Sequence, residues 1–147
     1  VGSSTVGSKK VDILSKLSEE WASLARIAKS SRSGVKTAKR WLDEFVGDGI
    51  ADHDGESYRL NRNATKTLRA KVEKLQEDLD VLEKERGQTE LRWDEDLSKT
   101  VGLEWRNHPS LVKYFRRSMR KFDDTKKVWE KELKEIRMEL RKLEERS

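Results

Sequence analysis

The sequence contains no cysteine, which excludes a disulfide scaffold, thiolate metal sites and cysteine nucleophiles, and fits a reducing compartment. It contains one proline, Pro109, so only one break of that kind is expected in 147 residues. Long apolar runs are missing as well. Nothing approaches the roughly 18 residues of a membrane span, and the Gly/Ser-rich start has no signal-peptide core. A soluble, cytoplasmic protein is therefore expected. Core-forming material is scarce, with 33% hydrophobic against 41% charged residues, which points to elongated helix rather than one compact globule. The apolar residues present are nevertheless regularly spaced, so disorder is not expected.

The formal charge of +5 is mild, but its distribution is uneven. From Arg26 to Leu42 there are six basic side chains, Arg26, Lys29, Arg32, Lys36, Lys39 and Arg40, and no acid. Around that patch the apolar spacing predicts three short helices. Residues 1–8 read as a flexible tail, with Ser8 placed to cap a helix from Lys9 to about Leu17. A second helix is expected over Trp21 to Lys29. Ser30, Ser31, Ser33 and Gly34 then supply a turn before a third helix, about Val35 to Val46, with Ala38, Leu42 and Phe45 inward and Gly49 ending it. Asp54-Gly55 reads as a two-residue hairpin turn between short strands, one of them anchored by Tyr58 and Leu60. A helix-turn-helix followed at once by a hairpin is the outline of a winged helix, and residues 9–61 are expected to fold as that domain and as a monomer on their own.

Residues 62–147 change period. Leu68, Val72, Leu75, Leu79 and Leu82 step by four and three, a heptad seam. Asn107-His108-Pro109-Ser110 then breaks the chain. Val112, Phe115, Met119, Phe122, Lys126, Trp129, Leu133, Ile136, Leu140 and Leu143 resume the seam, with Lys126 its one polar member. Two stretches of matched length around one break predict an antiparallel coiled-coil hairpin. A turn centred on Asn107 to Ser110 makes facing residue numbers sum to about 215. That register sets Val72 against Leu143, Leu79 against Ile136, Arg86 against Trp129, Thr89 against Lys126 and Trp93 against Phe122. The alternative is a parallel zipper between two chains. The expected fold class is thus mainly α, a winged helix followed by long coiled-coil helices.

The run Thr37-Ala38-Lys39-Arg40-Trp41-Leu42-Asp43-Glu44-Phe45-Val46-Gly47-Asp48-Gly49-Ile50, with Tyr58-Arg59-Leu60 after it, resembles the recognition helix and wing of winged helix-turn-helix regulators of prokaryotic, especially archaeal, type. The resemblance covers about a third of the chain. It implies a double-stranded DNA partner, a nucleoid-associated transcriptional regulator and no cofactor. The third helix would enter the major groove, where base edges are distinguishable. Lys36, Thr37, Lys39 and Arg40 would lie on its outer face, Lys36 and Arg40 reading guanine edges, while Ser31, Arg32, Ser33 and Lys39 would touch phosphate. His53 and Arg59 are the only candidate contacts in the wing, whose acids Asp52, Asp54 and Glu56 would repel phosphate.

The coiled coil would support a homodimer. Lys113, Arg116, Arg117, Arg120 and Lys121, interleaved with Tyr114 and Phe115, read either as a solvated face or as a contact for nucleic acid or an acidic protein. Catalysis and metal binding have little basis. His53 and His108 sit in separate loops without a matched nucleophile, Asp52-His53-Asp54-Gly55 lacks the later ligands of a calcium loop, and Asp94-Glu95-Asp96 reads as a wet helix face. The competing functional class is a non-enzymatic adaptor in which both regions bind proteins.

Overall fold

The computed structural model describes residues 6–102 and 104–146. Most of the expected tail therefore lies outside the described residues. Helix α1 (Val6–Ser15) already includes Ser8, which is thus inside the helix and not its cap. There follow β1 (Ala22–Ser23), α2 (Leu24–Ser30), α3 (Val35–Gly47), β2 (Ala51–Asp54), β3 (Ser57–Leu60), α4 (Ala64–Thr100), a 3-10 turn (Trp105–Asn107) and α5 (Pro109–Glu144). The protein is mainly helical with one small antiparallel sheet, in strand order β1-β3-β2. Among the described residues no helix is long and apolar enough to cross a membrane.

The chain divides into two compact units. One runs to Glu73 and takes up the chain again at Lys134; the other is Lys74–Leu133. The division falls inside the long helices rather than between residues 61 and 62, because the near ends of α4 and α5 share the burial of the N-terminal elements. Leu68 and Leu143 are buried, as are Ile13, Leu14, Leu17, Leu42 and Phe45 of the same unit. The Arg146 guanidinium donates to the Leu17 carbonyl, and Lys71 lies 3.1 Å from Asp48.

In this first unit α3 buries Ala38, Leu42 and Phe45 as its spacing requires, and Trp41 with them. The C-terminal end of α3 is closed by Gly49, whose φ of +79° suits a residue without a side chain and lets the Ile50 N–H return to the Phe45 carbonyl at 2.8 Å. Two expectations are corrected here. The second helix starts at Leu24, not Trp21: Ser23 caps it by accepting from the Arg26 N–H, and Ala22–Ser23 pair with β3, leaving Trp21 exposed. The hairpin turn is Gly55-Glu56, not Asp54-Gly55, since Asp54 pairs with Ser57. Gly55 alone has positive φ there (+61°), the requirement of a type II′ turn.

In the second unit α4 and α5 run antiparallel. Arg86 pairs with Asp123 and Glu83 with Lys126, numbers that sum to 209, and Trp93 meets Phe115 edge to face at 5.8 Å, a sum of 208. The expected partners Arg86 with Trp129, Thr89 with Lys126 and Trp93 with Phe122 are therefore replaced. The cause lies in the turn. Gly102, with φ +100°, sends its N–H back to the Leu97 carbonyl and closes α4 early. Pro109 opens α5 at its first position, where its missing N–H costs nothing, instead of breaking the chain after it. The connection is thus centred near residues 104 and 105. Trp105, only 1% exposed, fills it, its ring tilted against Phe115 at 5.5 Å and its indole N–H donated to Asp94, so Asp94 is a working acceptor rather than part of a wet face.

Of the seam residues, Leu79, Met119, Phe122, Leu133 and Ile136 are buried like Leu68 and Leu143. Val72, Leu75, Leu82, Phe115, Trp129 and Leu140 are half-buried.

Candidate nucleic-acid interface

The outer face of α3 is set by its inner one. With Ala38, Trp41, Leu42 and Phe45 inward, Lys36, Thr37, Lys39 and Arg40 are left exposed on the first two turns. The helix starts at Val35, after Gly34 at its N-cap, with no acid in its first turn, so its positive end adds to the basic side chains. Among the described residues Lys36 has no acidic partner. Arg40 lies over the Trp41 ring at 5.0 Å, which limits the rotamers of its guanidinium without neutralising it.

The preceding turn is built by its serines. Ser31 is buried, and its hydroxyl donates to the carbonyls of Ile27 and Ala28 and sits 2.9 Å from that of Ser33. Its place is in the turn's framework and not on a surface that phosphate can reach. Arg32 takes the left-handed conformation, φ +54°, and is exposed; Lys9 reaches across from α1 to the carbonyls of Ser31 and Arg32. Ser33 is half-buried.

The remaining candidates are tied to one another or to acids. Lys39 holds Asp43 at 2.7 Å, one helical turn on. The other Asp43 oxygen accepts from the Tyr58 hydroxyl at 2.6 Å, joining α3 to β3. The hydrogen bond from Lys39, then that from Tyr58, holds the Asp43 carboxyl below its usual range, while burial and Asp43 push the Tyr58 hydroxyl up to about 12. His53 stacks on Tyr58 at 4.6 Å and bonds to the Gly55 carbonyl across the turn. Arg59 donates to Asp52 at 3.0 Å and lies 4.4 Å from the centre of the Trp21 ring; Asn61 bonds the other Asp52 oxygen, and these two contacts lower the Asp52 pKa.

Reading the sequence missed these internal commitments. The Lys39 to Asp43 pair was visible in its i,i+4 spacing. The links of Tyr58 to Asp43 and of Arg59 to Trp21 span 15 or more residues and had no local signal. Also unforeseen was Lys10, which lies 3.3 Å from Glu44 and 3.4 Å from the buried Glu139. Burial opposes the Lys10 charge, but the two carboxylates outweigh it and raise the Lys10 pKa; at Glu139 burial wins over Lys10 and raises the carboxyl.

Among the described residues no three His, Asp or Glu side chains converge as a metal site. Comparison with protein-family models, curated proteins and solved structures gives no match for this chain.

Proposed function

We propose that the chain is a DNA-binding transcriptional regulator whose first unit is a winged helix reading duplex DNA with α3. The observation that carries this is the pair Lys36 and Arg40. They are exposed, one turn apart, unpaired with any acid among the described residues, and opposite a fully buried face. A helix so equipped can place two long cations at base edges, where guanine offers two acceptors. Arg32, beside them, suits a phosphate contact that sets the position of the helix. Lys39 is a weaker contact than its exposure suggests, because Asp43 already holds it. The regulator acts as a homodimer through its helical extension, presenting two α3 helices to major-groove faces roughly 34 Å apart, and resides with the nucleoid in the cytoplasm. No chemistry is catalysed.

The test is fluorescence anisotropy with a random duplex over a salt series, followed by selection of preferred fragments. Lys36→Ala and Arg40→Ala should each weaken the selected site by about 1 to 3 kcal/mol and relax its sequence preference. Equal duplex binding by the parent and the double variant would remove the basis of the reading.

A second reading, a protein-binding adaptor, is favoured by the acids Asp52, Asp54 and Glu56 in the hairpin and by the pairing of Arg59 and Lys39 with carboxylates. In that case the parent chain shows no salt-dependent affinity for duplex DNA.

A further inference from the structure

Four cations of the second unit, Lys74, Arg86, Arg106 and Lys126, have acidic partners among the described residues. Arg86 meets Glu90 and Asp123, Lys126 meets Glu83 and Glu130, Lys74 meets Asp78, and Arg106 meets Asp94. The start of α5 differs in its local composition. Between Pro109 and Phe122 there are five basic residues and no acid. Lys113, Arg116, Arg117 and Arg120 are exposed there, and none has an acidic partner among the described residues. Together they line an open cleft of about 460 Å³ that Arg106 and Asn107 of the 3-10 turn also line. Tyr114, 61% exposed, shares a second recess with Lys113 and Arg117.

We infer that this face of α5 is a site for single-stranded nucleic acid, with Lys113, Arg116, Arg117 and Arg120 holding the backbone and Tyr114 stacking on a base. The site lies at the start of α5 and the turn before it, and does not rest on the reading of α3.

The spacing suits a phosphate backbone. Lys113 to Arg120 spans seven residues, about 10.5 Å along the helix at 1.5 Å each, and the i, i+3, i+4, i+7 spacing of the four cations puts them on one face, long enough to meet more than one phosphate. Three of the four cations are arginines, whose planar fork grips phosphate oxygens in pairs. Carboxylates could meet the same forks, so the base-facing element decides between partners. An exposed tyrosine flanked by two cations matches the platform on which unpaired bases stack, whereas binding of an acidic chain rests on the charges, so the effect of Tyr114 separates the two partners. The same ring has no flat partner in a paired duplex, which directs the site to single strands.

The experiment uses the full-length chain carrying Lys36→Ala and Arg40→Ala, so that the α3 surface is already disabled. Binding of labelled oligothymidylate is followed by anisotropy over a salt series. This protein should bind the strand, and adding Arg116→Ala, Arg117→Ala and Arg120→Ala should weaken it at least tenfold and reduce the log–log salt slope by about two, at roughly 0.7 for each phosphate contact. Tyr114→Ala should weaken binding about fivefold or more while Tyr114→Phe restores it. All of these positions are exposed on a helix that favours alanine, and circular dichroism checks that helix content is kept. Absence of oligothymidylate binding, or undiminished binding by the arginine variant, overturns the inference. Polyglutamate that competes equally at matched charge, with Tyr114→Ala neutral, also overturns it and assigns the face to an acidic protein.

Discussion

Tyr58 is the residue at which the sheet and α3 are joined, since its ring is buried against His53 and its hydroxyl ends on Asp43. The same carboxylate restrains Lys39, so the charge offered by α3 depends on a hydrogen bond made fifteen residues away. The group's folded pKa, about 12, lies above its ordinary 10.0. A raised pKa means that its stabilising effect is complete below pH 10 and is lost as pH climbs from 10 towards 12. The chain has two tyrosines, so Tyr114→Phe leaves tyrosinate absorbance as a report on Tyr58 alone. In that background Asp43→Asn should lower the midpoint but leave it above 10, because burial is the larger cause. A midpoint unmoved by Asp43→Asn would show that the hydroxyl is not held as described.

For the elements, what the sequence made legible was set by periodicity. The apolar steps of α3 gave its inner face, and therefore Lys36 and Arg40 on its outer one, because a helical stripe is a local property. Two-residue β1 has no period to read, and it formed only because β3 offered a partner. The register of α4 against α5 was legible only to within one heptad. The expected sum of 215 and the 208 of Trp93 with Phe115 differ by seven, and a slip of seven sets the same a and d positions against each other again. The connection breaks that tie, through Gly102, Trp105 and Pro109, and not through the seam leucines. Chemical cross-linking distinguishes the two registers. In a chain without native cysteine, Glu83→Cys with Lys126→Cys should be joined within one chain by a short bismaleimide faster than Thr89→Cys with Lys126→Cys, the pairing of the longer register. Faster closure of the second pair would restore a turn centred on Asn107 to Ser110.

For the molecule as a whole, the elements before Asn61 do not close on themselves. Leu68, Ile136 and Leu143 are buried in the same unit as α1 and α3, Glu139 is a partner of Lys10, and Arg146 satisfies the Leu17 carbonyl. Full burial of a leucine or isoleucine side chain is worth about 1.5 to 3 kcal/mol. Three of them amount to roughly 5 to 9 kcal/mol, the size of a small domain's entire stability of about 5 to 15 kcal/mol. A chain ending at Asn61 should therefore not behave as the self-sufficient monomer that its composition suggests. Its thermal unfolding, followed by circular dichroism, should lose cooperativity or move far below that of the full chain. Loss of DNA affinity in the truncated chain would then report loss of folding and not of a second half-site, so dimer-dependent binding has to be tested in full-length protein. A sharp transition at the full chain's temperature would instead show that residues 9–61 hold their own core, and that the ends of α4 and α5 merely rest against it.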